Sequence, residues 1–136
     1  MIRIHAACLV LLLASVTLAS EDVRMLAVEG EGQNFWPGWR GPSAQGYVVG
    51  SGYPDTWSDT KNVLWKVEVP GAGNSSPIVW GDRIFLTTAR DGGERLSILC
   101  FRRADGTLLW ETQIPHQGVE RGHRKNGHAS ATPVTD

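Results

Sequence analysis

From residue 63 onward, hydrophobic and polar positions alternate in short runs that glycine and aspartate interrupt. In VLWKVEV (63–69), Val63, Trp65, Val67 and Val69 fall on one side of an extended chain, while Lys66 and Glu68 fall on the other. That period of two is the signature of a half-buried strand. PIVW (77–80), RIFLTTA (83–89), RLSILCF (95–101) and TLLWETQI (107–114) follow, separated by Gly81-Asp82, Asp91-Gly92-Gly93 and Ala104-Asp105-Gly106 after the first of them. Glycine reaches the positive φ that tight hairpins need, and aspartate tolerates the adjoining positions. The pattern predicts four antiparallel strands in a meander across 75–114, preceded by a further strand at 63–69. No stretch beyond the N-terminal segment has a helical period, so the fold class is all-β.

The pattern also repeats. LLWETQIP (108–115) restates VLWKVEVP (63–70) 45 residues later, and SATPVTD (130–136) echoes SSPIVW (75–80). Pro77 and Pro133 are 56 residues apart, so about eleven extra residues, centred on HQGVERGHRKN (116–126), are inserted in the second connection. Strand-built units recurring every 40–50 residues or so indicate a stacked β architecture. A four-stranded unit has two faces, and in a ring its neighbours cover both. The expectation is therefore the N-terminal fragment of a β-propeller, with about one complete four-stranded blade and parts of its neighbours.

Upstream of the repeats the chain reads differently. Residues 1–19 carry Arg3 and His5, then an apolar run from Ala6 to Val16, then Thr17-Leu18-Ala19, the layout of a cleavable signal peptide. The alternative is an uncleaved anchor, but the run is shorter than the roughly 18–20 residues of a span. Residues 20–62 form an N-terminal arm and irregular strap: 21–34 are polar and without period, 43–62 are loop. FWPGWRGP (35–42) is expected to lay Trp36 and Trp39 onto something apolar, since its prolines cannot donate to a ladder. Residues 63–136 are the repeat region.

Composition narrows the partners. Of 13 basic residues Arg3 lies in the leader, which leaves 12 against 14 acidic ones. Such a balance gives no electrostatic reason to expect nucleic acid or an anionic membrane. Cys100 is the one cysteine outside the leader, so an exported chain has no internal disulfide, and its apolar setting LSILCF predicts a buried, inert thiol. Six tryptophans (36, 39, 57, 65, 80 and 110) supply large packing groups instead.

ADGTLLWE (104–111) resembles the pyrroloquinoline-quinone (PQQ)-type β-propeller repeat of quinoprotein dehydrogenases and their non-enzymatic relatives. The family motif runs Ala-x-Asp-x-x-Thr-Gly-x-x-x-Trp. Gly106 and Trp110 match its last Gly and Trp, whereas its Ala, Asp and Thr fall on Cys100, Arg102 and Asp105. The earlier copy keeps Trp65 but has Lys61 in place of Gly. From WPGWRGP through HRKNGHASATPV, residues 35–136 are similar to secreted PQQ-like repeat proteins of the planctomycete type and to the propeller lipoprotein of outer-membrane assembly. The resemblance implies that Trp65 and Trp110 dock between neighbouring blades, with Gly106 in the docking turn.

Candidate chemistry is sparse. GAGNSS (71–76) lacks the Gly-Lys-Ser/Thr ending of a phosphate loop and reads as a connection. His116, His123 and His128 lie beside Glu120, Arg121, Arg124 and Lys125 in the insertion. Imidazoles suit zinc or copper, but spacings of seven and five match no familiar ligand pattern, so a solvated loop or an anion-attracting binding loop competes with a metal site. Asp82, Asp91 and Asp105 are turn residues. No grouping is assigned a catalytic role. The resemblance implies one of two functions: an exported, periplasmic or extracellular propeller that scaffolds protein partners without catalysis, or a PQQ-dependent dehydrogenase of alcohols or sugars in which Ca²⁺ polarises the quinone. The vicinal Cys-Cys pair typical of the alcohol dehydrogenases is not in this sequence.

Overall fold

The computed structural model describes residues 29–119, 121–123 and 125–135; the predicted signal peptide lies outside them. Four strands, β1 (Ile78–Trp80), β2 (Arg83–Arg90), β3 (Arg95–Arg102) and β4 (Leu108–Ile114), form one antiparallel sheet in the order β1-β2-β3-β4. No α-helix occurs among the described residues. Each strand expected from residue 77 onward is present to within one residue at either end. Gly81-Asp82, a short 3-10 turn at Asp91–Gly93 and the turn around Asp105-Gly106 join them. A β-bulge between Cys100 and Phe101 shifts the β3–β4 register, with Cys100 opposite Trp110 and Phe101 opposite Leu108.

Directly opposed residues share a face, so the register sorts the side chains. Ile78, Phe85, Cys100 and Trp110 make a row on one face. Leu86, Leu99 and Glu111 make a row on the other, beside Thr88, Ser97 and Gln113. Ile78, Thr88, Leu99 and Cys100 are fully buried and form the centre of the core. Truncating Leu99 to Ala therefore removes packed methyls with little room to collapse, a loss of about 2–5 kcal/mol.

The chain on either side of the sheet in sequence covers these faces. Ahead of it, the Trp65 indole reaches the β3–β4 turn and the Pro70 carbonyl accepts the Thr88 hydroxyl at 2.5 Å, which carries residues 65–70 across the Leu99 face. After the sheet, the Ala131 carbonyl accepts the Thr87 hydroxyl at 2.9 Å on the opposite face. There the two echoing phrases lie side by side in the same direction. Ala129 accepts from the amides of Asn74 and Ser75 (2.9 and 3.1 Å), and Thr132 Oγ1 accepts from Ser76 N at 3.0 Å. GAGNSS is thus a connection whose amides are engaged by the chain itself.

Two expectations are corrected. Residues 63–69 do not form a strand. Trp65 alone of the expected inner side is half-buried; Val63, Val67 and Val69 are 41%, 39% and 40% exposed against 94% for Leu64, so the two sides differ without the inner one being covered. Alternation reports only that environment. A segment crossing a sheet face satisfies it without any neighbour to share a ladder, and pairing begins only at the isolated Ala72–Ala89 bridge (2.9 and 2.8 Å). The strap is half as expected. Trp36 pairs with Val79 at the free edge of β1 (2.9 and 2.8 Å) and lays its ring on Gly41, and Phe35 packs against Trp80. Trp39 instead stays 61% exposed, with the Arg40 guanidinium 4.3 Å from its ring centre. A cation over an indole is stable in water, so this ring needs no apolar seat.

Candidate functional site

Two places bring together residues that the sequence singles out. The first joins Trp65 to Gly106. Trp65 Nε1 donates to the Arg103 carbonyl at 2.8 Å, and its ring lies flat on Gly106, where a methyl group would come within 2.6 Å of the indole and 2.8 Å of a Val67 methyl. Gly106 also has φ +72°, so space and backbone both select glycine. The turn beneath is rigid. Gly106 N donates to Arg102 O and Arg102 N to Thr107 O, both at 2.8 Å, while Asp105 accepts from Thr107 N and the Arg102 guanidinium, both at 2.9 Å. The amide and hydroxyl of Thr107, then Arg102, hold the Asp105 carboxyl down at about 2. Asp105 is therefore a turn residue, as Asp82 and Asp91 are. Trp110, the other docking candidate, lies 5.9 Å from Phe85 between ring centres and is 38% exposed.

The second place is the histidine-bearing insertion, which folds back over the β2–β3 turn. Its anchor is His128, whose ring lies on Gly93; a Cβ at Gly93 would come within 2.6 Å of that ring. His116 ties the same turn to the end of β4, with Nδ1 3.1 Å from Ile114 O and Nε2 3.2 Å from Gly93 O. A singly protonated imidazole donates to one of these carbonyls, and an imidazolium donates to both. His123 O accepts from Asn126 N at 2.8 Å, and His123 Nδ1 accepts from Lys125 N at 3.2 Å. Between the insertion and the turn lies a cavity of about 330 Å³, lined by Leu96, His116, Gln117, Arg121, His123, Asn126, His128 and Ala131 together with glycines 93, 118, 122 and 127.

The three histidines proposed as metal ligands thus reach one cavity. Among the described residues, however, no three His, Cys, Asp or Glu side chains come together as a metal-binding group. Arg124 lies outside the described residues. Elsewhere one charged pair and the free thiol are structural. Arg90 grips Glu111 with two parallel bonds of 2.5 and 2.9 Å, and this, then Ser97, lowers the Glu111 carboxyl below the usual range. Burial pushes the Cys100 thiol up, which keeps it protonated and unreactive.

Sequence reasoning named Trp65, Gly106 and the histidines but missed Gly93, the Thr88–Pro70 bond and the Arg90–Glu111 pair. Only the doubled glycine at 92–93 carries a local signal, because the other contacts depend on the β2–β3–β4 register. No family model matches the chain, and no curated protein or solved structure matches it.

Proposed function

We propose that the protein is an exported β-propeller of the PQQ-like repeat type, acting in the periplasm or outside the cell as a non-catalytic scaffold for protein partners. The observation that carries this reading is the seat of Trp65 on Gly106. An indole from one copy of the repeated phrase is clamped by the glycine turn of the next copy, through ring contact and the 2.8 Å bond to Arg103 O. Such an interlock passes from each unit to its successor, and a large ring buries much area at small entropic cost. The parallel course of 129–132 beside 74–76 supports the same repeat. Because flanking chain lies on both sheet faces, the unit has the two-sided cover that a blade receives from its neighbours.

The groups placed by the fold favour scaffold over enzyme. Asp105 and Glu111 are committed to internal bonds, and the Cys100 thiol is buried. Purified protein loaded with PQQ and Ca²⁺ should reduce no redox dye when supplied with alcohols or sugars. Substrate-dependent turnover above the protein-free rate would replace the scaffold with a quinoprotein dehydrogenase. The propeller itself is tested by electron microscopy of the exported protein, where particles without a central axis of repeated units remove it.

A further inference from the structure

We propose that the cavity between the described residues of the insertion (116–119, 121–123 and 125–128) and the β2–β3 turn is a binding site for a small oxyanion-bearing ligand, a carboxylate or phosphate of low mass. Its volume, about 330 Å³, lies at the lower end of the range for small-molecule sites. The residues that line it are rich in donor-bearing side chains: Arg121, Gln117, Asn126, His123 and His128. Among the described residues no carboxylate lines it.

The hydrogen bonds decide between an anion and a cation. A metal requires an imidazole lone pair directed at it. Both nitrogens of His116 already face carbonyl oxygens. His123 Nδ1 spends its lone pair on the Lys125 amide, which leaves the ring proton on Nε2 as a donor. His123 thus offers N–H rather than lone pair, and Arg121, which lines the same cavity, carries a planar guanidinium that matches the geometry of a carboxylate or phosphate. The site draws all its residues from this sheet and the segment that follows it, so it stands whether or not a ring forms.

Isothermal titration of the full chain with malonate, inorganic phosphate and glucose tests the assignment, alongside Arg121→Gln and His123→Gln. Both substitutions lie on the exposed insertion, and unchanged circular dichroism verifies the fold. Saturable binding of either anion, weakened at least tenfold in Arg121→Gln and reduced in His123→Gln, supports the site. Malonate alone identifies a carboxylate ligand, phosphate alone a phosphate ligand, and both together a general oxyanion site. Three results overturn it: no saturable binding of either anion, glucose binding as tightly as they do, or anion binding that both variants leave intact.

Discussion

At the scale of single residues, Trp65 and Gly106 form one device. Gly106→Ala forces a methyl into the indole and holds alanine at φ +72°. Left-handed backbone costs about 1 kcal/mol and an overpacked contact about 1–3 more. In a Trp65→Ala background the second part largely disappears, because the ring is gone and only the Val67 methyl must move aside. A double-mutant cycle by urea unfolding should therefore return a coupling above about 1 kcal/mol, whereas independent sites would add to within about 0.5. Asp105 makes a prediction of different kind. Its carboxyl is held below the ordinary 3.8, at about 2, by bonds that exist only in the folded turn. A lowered folded value means stabilisation that is complete above 3.8 and fades as pH falls toward 2. Urea midpoints should drop through that window, and Asp105→Asn should make the drop shallower. Glu111, also lowered, leaves the variant some acid sensitivity. Identical slopes would remove Asp105 from the turn's acid response.

Elements were legible where local chemistry decides them. β1 to β4 stand between turns whose glycines and aspartates announce them, and each strand has a neighbour a few residues away to complete its ladder. VLWKVEV shows the limit: its alternation is satisfied by lying across the Leu99 face, and nothing within those seven residues says whether a partner strand is present. Trp65 and Gly106 were each legible as docking positions through the resemblance of the repeated phrase, but their contact was not, since the earlier copy has Lys61 in place of the glycine. The cavity was not, since residues 93 and 96 meet 116–118, 121–123 and 126–128 only after the meander forms. Its hinge is the contact of His128 with Gly93, where φ is +101° and added bulk meets the ring. Gly93→Ala should lift the insertion from the sheet without dissolving the strands. Limited trypsin digestion checks this: cleavage after Arg121 and Lys125 should accelerate several-fold while strand circular dichroism persists. Equal cleavage in both proteins would show that Gly93 does not hold the insertion down.

For the whole molecule the deciding residue is Trp110. Each interlock has two parts, an indole and a glycine turn that receives it. Within the described residues the turn at 103–106 receives Trp65, whereas Trp110 packs against Phe85 and stays 38% exposed. With more than a third of its surface in water, its truncation removes about half of what a buried tryptophan contributes, on the order of 1–2 kcal/mol against 3–5. In a propeller the balance changes, because another unit lays its own turn over the exposed side. The exported protein should then lose about 3–5 kcal/mol on Trp110→Ala, and acrylamide should quench Trp110 fluorescence no better than that of Trp65 in matched single-tryptophan variants. A loss of only about 1–2 kcal/mol or less, with quenching as strong as for exposed Trp39, would mean that no second turn arrives. The interlock would then end with one pair, and the ring on which the scaffold reading depends would have no means of closing.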